Sequence, residues 1–271
     1  MSSLQVRNEY VHVEQRGEGE PLLLLHGNPD TSAMWQPLIA HLDRRYHCIA
    51  PDLPGFGRSA GPVPATDVSL EGMAEWVDAV VTGLKLPTPL TLVVHDFGGV
   101  YGLAWAARYP EKVKHLVITN TLFHSDYQWH FWARIWRAPL LGELAMALLA
   151  VPVVGWQLLR LSMAMGSKNL STAQMHEAYA AFGPATRKMV LHLYRASDPE
   201  NFVGWEDQML AAARKINTQV IWGRHDPYIE TRYAQRFGAR QVDVLDSAGH
   251  WVAAEAPEQV AALILRQAAL R

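Results

Sequence analysis

"TLVVHDFGGV", residues 91–100, is the stretch on which the reading of this chain turns. A run of β-formers ends in the polar pair His95–Asp96, two glycines follow at Gly98 and Gly99, and a helical-looking segment comes next. A carboxylate at the end of an apolar strand has two explanations. It can be a helix N-cap, a position that Asp favours, or a reactive group displayed at a sharp strand-to-helix turn. An isolated Asp-x-Gly-Gly does not choose between them, so the flanking sequence must.

On either side, apolar runs and amphipathic segments alternate. Upstream, LQVR and YVHVEQRG read as two short strands, and PLLLLHG (21–27) as a strand buried on both faces. TSAMWQPLIAHL has helical spacing, YHCIAPD is another buried strand, and PDLPGFGRS (51–59) is a loop. SLEGMAEWVDAVVTGL reads as an amphipathic helix with Ser69 as its N-cap. Strand PLTLVVHD, helix GGVYGLAWAARYP and strand VKHLVITN follow. After Asn120 the alternation stops, and 122–213 reads as helix and loop rich in Trp, Met and Leu. It resumes with strand TQVIWGRHD, helix YIETRYAQRFG, strand ARQVDVLDSAGH and a closing helix from about Glu258. Repeated βαβ units predict an α/β fold with a mostly parallel sheet flanked by helices. Residues 1–121 and 214–271 form the expected core, and 122–213 an inserted helical cap.

Composition narrows the function classes. The 271 residues are 49% hydrophobic and 18% charged, which suits a sizeable core. The formal charge is −2, from 24 basic and 26 acidic residues with no basic run, so no nucleic-acid partner is implied. Cys48 is the single cysteine, expected in a buried strand; it excludes an intramolecular disulfide and leaves cysteine-based zinc sites unsupported. MSSLQVRNEY lacks a basic segment followed by an apolar one, so no secretory signal is expected and a cytoplasmic location is the default. LAMALLAVPVVGWQLL (144–159) is uncharged but is shorter than the roughly 18–20 residues of a membrane span and broken by Pro152 and Gly155. It is expected to be a lid over an apolar pocket, not a span.

Three polar residues fall just beyond strands: Asp96, Asp226 after QVIWGR, and His250 in DSAGHW. Reactive groups in open α/β sheets gather at the carboxyl ends of the strands, so the three can converge. Each also has a plainer explanation, Asp226 as a helix cap and His250 as a loop residue. Their chain order is that of nucleophile, acid and histidine in Ser-His-Asp-type triads on this kind of sheet.

With these motifs in place, the chain resembles the α/β-hydrolase superfamily along essentially its whole length. The likeness rests on the turn Val94-His95-Asp96-Phe97-Gly98, on "HGNP" at 26–29 and on "PDLPGFGRS" at 51–59. Aspartate where esterases carry serine is similar to the branch holding epoxide hydrolases and haloalkane dehalogenases. A carboxylate attacks an sp³ carbon to give an alkyl-enzyme ester, whereas serine suits acyl transfer. The resemblance implies Asp96 as nucleophile and His250, oriented by Asp226, as the base that activates water. It implies the backbone N–H groups of Phe97 and Asn28 as the oxyanion site. No cofactor or metal is implied.

The leaving group stays open between two chemistries. Haloalkane dehalogenases characteristically carry a Trp halide donor directly after the nucleophile; here Phe97 stands there, while Asn28 matches their second donor. Epoxide hydrolases use two cap tyrosines, which the resemblance places at Tyr127 in "SDYQWH" and Tyr194 in "LHLYRA". An epoxide hydrolase giving vicinal diols is the first expectation, a haloalkane dehalogenase the alternative, and another hydrolase or a non-catalytic binder comes after. The expected ligands are a small apolar organic substrate and water. Trp35, Trp129, Trp132, Trp205 and Trp251 are expected to line the pocket. His26 and His95 are expected to brace their loops, His124 and His130 not to form a metal site, and Asp246 and Glu255 to be solvated.

Overall fold

A computed structural model describes residues 2–6, 9–59 and 67–269. In chain order the elements are β1 (Ser2–Val6), β2 (Glu9–Arg16), β3 (Glu20–Leu25), α1 (Gln36–Leu42), β4 (Tyr46–Pro51), α2 (Leu70–Gly83), β5 (Leu90–His95), α3 (Phe97–Arg108) and β6 (Val113–Thr119). Six helices follow: α4 (Phe131–Arg137), α5 (Leu141–Leu149), α6 (Pro152–Gly166), α7 (Thr172–Ala181), α8 (Pro184–Ala196) and α9 (Trp205–Lys215). The chain then returns through β7 (Asn217–Gly223), β8 (Gln241–Leu245), α10 (Val252–Glu255) and α11 (Pro257–Ala269). Arg7, expected at the end of the first strand, lies outside the described residues.

The eight strands form one sheet in the order β1-β2-β4-β3-β5-β6-β7-β8. β1 and β2 are antiparallel; every pairing from β4 to β8 is parallel. Continuous apolar runs become the central strands because both faces are covered, and all six residues of β5 are buried. Helices α2, α3 and α9 pack as one layer and α1, α10 and α11 as another. The fold is that of the α/β hydrolases. Because β5, β6, β7 and β8 run the same way, Asp96, Asn120, Asp226 and His250 all emerge at one edge of the sheet.

Two expected helices changed form. TSAMWQPLIAHL begins as a 3₁₀ turn, Ser32–Trp35, with Thr31 Oγ1 accepting from Ala33 N, and α1 starts only at Gln36. Pro37 explains the break, since proline suits a helix's first turn and disrupts its interior. YIETRYAQRFG yields a 3₁₀ run, Thr231–Arg236, and not an α-helix. Ser69 does cap α2, its hydroxyl accepting from Gly72 N at 3.0 Å. The apolar stretch 144–159 divides into α5 and α6, with Pro152 opening the second helix. No single helix among the described residues is long and apolar enough to cross a membrane.

Candidate active site

Asp96 sits between the end of β5 and the first turn of α3 with φ +47° and ψ −124°. Such a backbone costs a non-glycine residue about 1–3 kcal/mol and persists only where its surroundings enforce it. Here the enforcement is visible. Asp96 N donates to Asn120 O at 3.1 Å, and Asp96 O accepts from Gly99 N at 2.8 Å and Thr121 Oγ1 at 2.6 Å. A Cβ on Gly98 would lie 2.1 Å from Leu25 O, and one on Gly99 1.9 Å from Thr121 Oγ1. The two glycines therefore let α3 start against β3 and the loop after β6. Asp96 makes no side-chain capping bond. Its carboxylate is displayed at an elbow and is not a helix cap.

That carboxylate faces the HGNP loop. Asn28 N donates to Asp96 Oδ1 at 2.7 Å, and Phe97 N–H also bonds the side chain. Burial pushes the Asp96 carboxyl above its ordinary pKa, while the charge of His250 and these two N–H groups pull it back. His26 holds the loop: its Nε2 accepts from Leu53 N at 2.9 Å and its Nδ1 bonds Gly27 O at 2.9 Å.

His250 Nδ1 lies 2.8 Å from Asp226 Oδ2, and its Nε2 3.7 Å from Asp96 Oδ2. Burial alone would lower its pKa. Asp226, by charge and hydrogen bond, and then Asp96 and Asp30 outweigh that and raise it to about 9. Asp226 is fully engaged: its Oδ1 accepts from Tyr228 N and Ile229 N, and its Oδ2 also accepts from Asn120 Nδ2 at 2.8 Å. Sequence reasoning passed over Asn120. Its amide oxygen accepts from Gly223 N and its carbonyl from Asp96 N, so one residue ties the elbow to Asp226. Its place at the carboxyl end of β6 was the available signal. The ring of His95 packs 4.7 Å from that of His250.

Asp96 and His250 border a small chamber of about 40 Å³ whose wall includes Asn28, Trp129, His130, Tyr194 and Trp251. Both tyrosines of the expected pair line the chamber, but their hydroxyls are bonded differently. Tyr194 is buried, its hydroxyl 3.5 Å from Asn28 Nδ2 and its ring against Phe97. Tyr127 lines the same chamber, but its hydroxyl donates to Tyr228 O at 2.9 Å, which removes its proton from use.

Among the expected pocket tryptophans, Trp129 and Trp251 line the chamber and three do not. Trp35 is fully buried beside His95, because its 3₁₀ turn points it into the core. Trp132 faces an outer trough between α4, α5 and α6, and Trp205, at the start of α9, faces a separate surface cleft beside Val68. Glu255 is also corrected. It is buried and accepts from the N–H groups of Gly249, Trp251, Lys168 and Asn169, while Asp246 is exposed and pairs with Arg224.

Two further residues were missed. His130 caps α4 by accepting from Ala133 N, faces the chamber, and is pushed by burial and the charge of His250 to a pKa of about 4. Asp30, directly after HGNP, accepts from Trp251 Nε1 at 2.6 Å, and burial lifts its pKa to about 7. His124 lies apart from His130, bonded to Glu206 at 2.8 Å.

The sequence profile of the alpha/beta hydrolase fold matches residues 20–257, and the chain belongs to that family. Over 116 residues it is 40% identical to a cis-3-alkyl-4-alkyloxetan-2-one decarboxylase of Shewanella oneidensis, a match spanning 42% of this chain and 36% of that protein. It is 26% identical over 278 residues to haloalkane dehalogenase 2 of Mycobacterium tuberculosis, covering 95% of this chain and 91% of that one. An epoxide hydrolase structure from Vigna radiata superposes with a TM-score of 0.77 at 21% identity, covering 98% and 96% of the two chains, a likeness of fold.

Proposed function

We propose that the enzyme opens a strained C–O ring, foremost an epoxide, through a covalent ester on Asp96, giving a vicinal diol. The observation that carries this reading is Tyr194. Its hydroxyl is buried in the chamber that Asp96 shares, and its one bond there is received from Asn28, so its own proton remains to give. Burial, and then the charge of Asp96, keep its pKa well above that of a free phenol, so it is protonated at neutral pH. An opening epoxide develops a basic alkoxide and needs such a donor.

Asp96 Oδ2 attacks the ring carbon, the C–O bond breaks, and the alkoxide takes the Tyr194 proton. The imidazolium of His250 re-protonates the phenolate through solvent and becomes a neutral base. It then takes a proton from water, whose oxygen attacks the ester carbonyl. The oxyanion forms on Oδ1 between the N–H groups of Asn28 and Phe97. Collapse returns the carboxylate and releases the diol, with the imidazolium restored, so the balance is epoxide plus water. Helices α4 to α8 serve as a cap over the chamber, while α9 packs on α3 in a helical layer of the core.

A haloalkane dehalogenase is the second reading. A leaving halide wants N–H donors, and Asn28 Nδ2 is joined by the Trp129 indole, which lines the chamber and whose N–H has no partner among the described residues. The full-length likeness to a haloalkane dehalogenase favours this reading too.

The test is intact-mass measurement of the His250→Gln variant with terminal epoxides and with bromoalkanes, beside steady-state diol and bromide assays of the wild type. The proposal expects an epoxide adduct on Asp96 that is lost in Asp96→Asn. An adduct and turnover with bromoalkanes alone establish the second reading. No adduct with either makes the chain a binder.

A further inference from the structure

The catalytic chamber is too small for anything beyond the reacting end of a molecule. At about 15 Å³ per water, its 40 Å³ holds only a few waters. Beside it lies a much larger space of about 340 Å³, between α4, α5 and α6. The two share Trp136, Leu159 and Ser162 as a common wall. Apart from Ser162, every residue facing the larger space is apolar. Leu141, Leu144 and Leu148 line it while remaining 56%, 57% and 44% exposed. Leaving three leucines half-open to water on adjacent turns of one helix is unfavourable unless something apolar covers them.

We propose that this trough binds a long unbranched alkyl chain of the substrate, whose reactive carbon lies at Asp96. The inference rests on the reading of Asp96 as the reacting group. The trough and the chamber are neighbours across Trp136, Leu159 and Ser162, so the proposed chain leaving Asp96 runs past Trp136 and Leu159. A polar substituent finds little there, since the trough offers one hydroxyl and the indole N–H groups of Trp132 and Trp136 among otherwise aliphatic side chains. That hydroxyl, on Ser162, is already 3.3 Å from the Tyr228 hydroxyl. α5 and α6 bend through 107° at their junction, so the trough is an open-sided angle between helices, shaped for an extended chain.

The experiment fills the trough without touching the chamber. Ala145 lines the trough and not the chamber, so Ala145→Trp shortens the space for a chain while sparing the catalytic residues. Two measurements are made on wild type and variant. The first is kcat/KM for terminal epoxides and bromoalkanes with butyl, octyl and dodecyl chains. The second is calorimetric binding of butanol, octanol and dodecanol to the Asp96→Asn protein, with and without Ala145→Trp. Full burial of a methylene strengthens binding about fourfold. Affinity and kcat/KM should therefore climb steeply with chain length in the wild type and flatten in Ala145→Trp, with butyl substrates unaffected.

The alcohol isotherms stand whether or not either reaction is seen, so failure of the proposed chemistry and failure of the trough are read separately. Affinity independent of chain length, or a climb that survives Ala145→Trp, overturns the inference. So does sedimentation showing a dimer that Ala145→Trp dissociates while the chain-length dependence stays intact, because a second copy then covers the leucines.

Discussion

Asn28 holds two reactive groups at once: its backbone N–H donates to Asp96 Oδ1 at 2.7 Å, and its side-chain amide reaches the Tyr194 hydroxyl at 3.5 Å. The proposed nucleophile and the proposed proton donor are thus fixed through one residue of the HGNP loop. Tyr194→Phe should slow epoxide alkylation by on the order of 10²-fold, within the range for general acid catalysis. Tyr127→Phe should change little, since that hydroxyl is committed to Tyr228 O. Asn28→Ala should weigh most on halide release, where the amide is a direct donor. Rapid-quench alkylation rates of the three variants on both substrate types check this. Equal effects of the two tyrosine variants would show that Tyr127 shares the donor role.

The proton on His250 depends on two carboxylates. With Asp226 and Asp96 both charged its pKa is about 9, so the imidazole is protonated in the resting enzyme at neutral pH. In the proposed mechanism, esterification neutralises Asp96 and removes one of the groups holding that proton. The pKa then falls, and the base is released when hydrolysis needs it. The ester-hydrolysis rate constant should therefore rise with pH and level off, with a midpoint below about 9. The free enzyme should titrate near that value by imidazole NMR. Asp226→Asn should lower the free-enzyme value, because it removes the group that raises it most. A hydrolysis midpoint equal to the free-enzyme value would count against the coupling.

Asp30 bears on stability. Burial raises its carboxyl from an ordinary 3.8 to about 7, so the folded state binds the proton more tightly than the unfolded one. Its favourable contribution is complete below pH 3.8 and is lost as pH rises through about 7. Asp30→Asn keeps an acceptor for Trp251 Nε1 and removes the buried charge. The variant should melt higher than wild type at pH 8, by on the order of 1–3 kcal/mol of stability, and by much less at pH 4. Melting curves at the two pH values decide it, and an unchanged difference across them would show that Asp30 does not titrate in this window.

The parts legible in the sequence share a physical cause. Strand periodicity locates strand ends, and Asp96, Asp226 and His250 follow three of them, so a local pattern was enough to bring them together. The parts that were missed depend on partners far along the chain. Tyr127 looked free until its hydroxyl met Tyr228, and Asp30 is defined by Trp251 at the other end of the protein. Glu255 looked solvated because charged residues near a terminus usually are, yet the chain folds it inward onto four backbone donors. Trp132 and Trp136 both lie on α4, but only Trp136 reaches the chamber, and composition cannot tell the two apart.

Glu255 carries the remaining prediction. Its carboxylate accepts from Gly249 N and Trp251 N, which bracket His250, and from Lys168 N and Asn169 N just beyond α6. It therefore pins the loop that aims His250 to the end of the helix that walls the trough. His250 N itself donates to Gly166 O at 2.6 Å, so the two segments are joined twice. Glu255→Ala leaves several buried N–H groups without an acceptor, each costing about 1–3 kcal/mol if nothing replaces it. A total loss of about 3–5 kcal/mol is expected, at the upper end for single substitutions. Glu255→Gln keeps one carbonyl acceptor and should lose less. The effect on catalysis should fall on ester hydrolysis more than on alkylation, since Asp96 is held by other contacts and only the aim of His250 is loosened. Melting temperature and the steady-state fraction of esterified Asp96, measured by intact mass, test both halves. A destabilised Glu255→Ala protein whose ester does not accumulate would limit Glu255 to stability and leave His250 aimed by Asp226 alone.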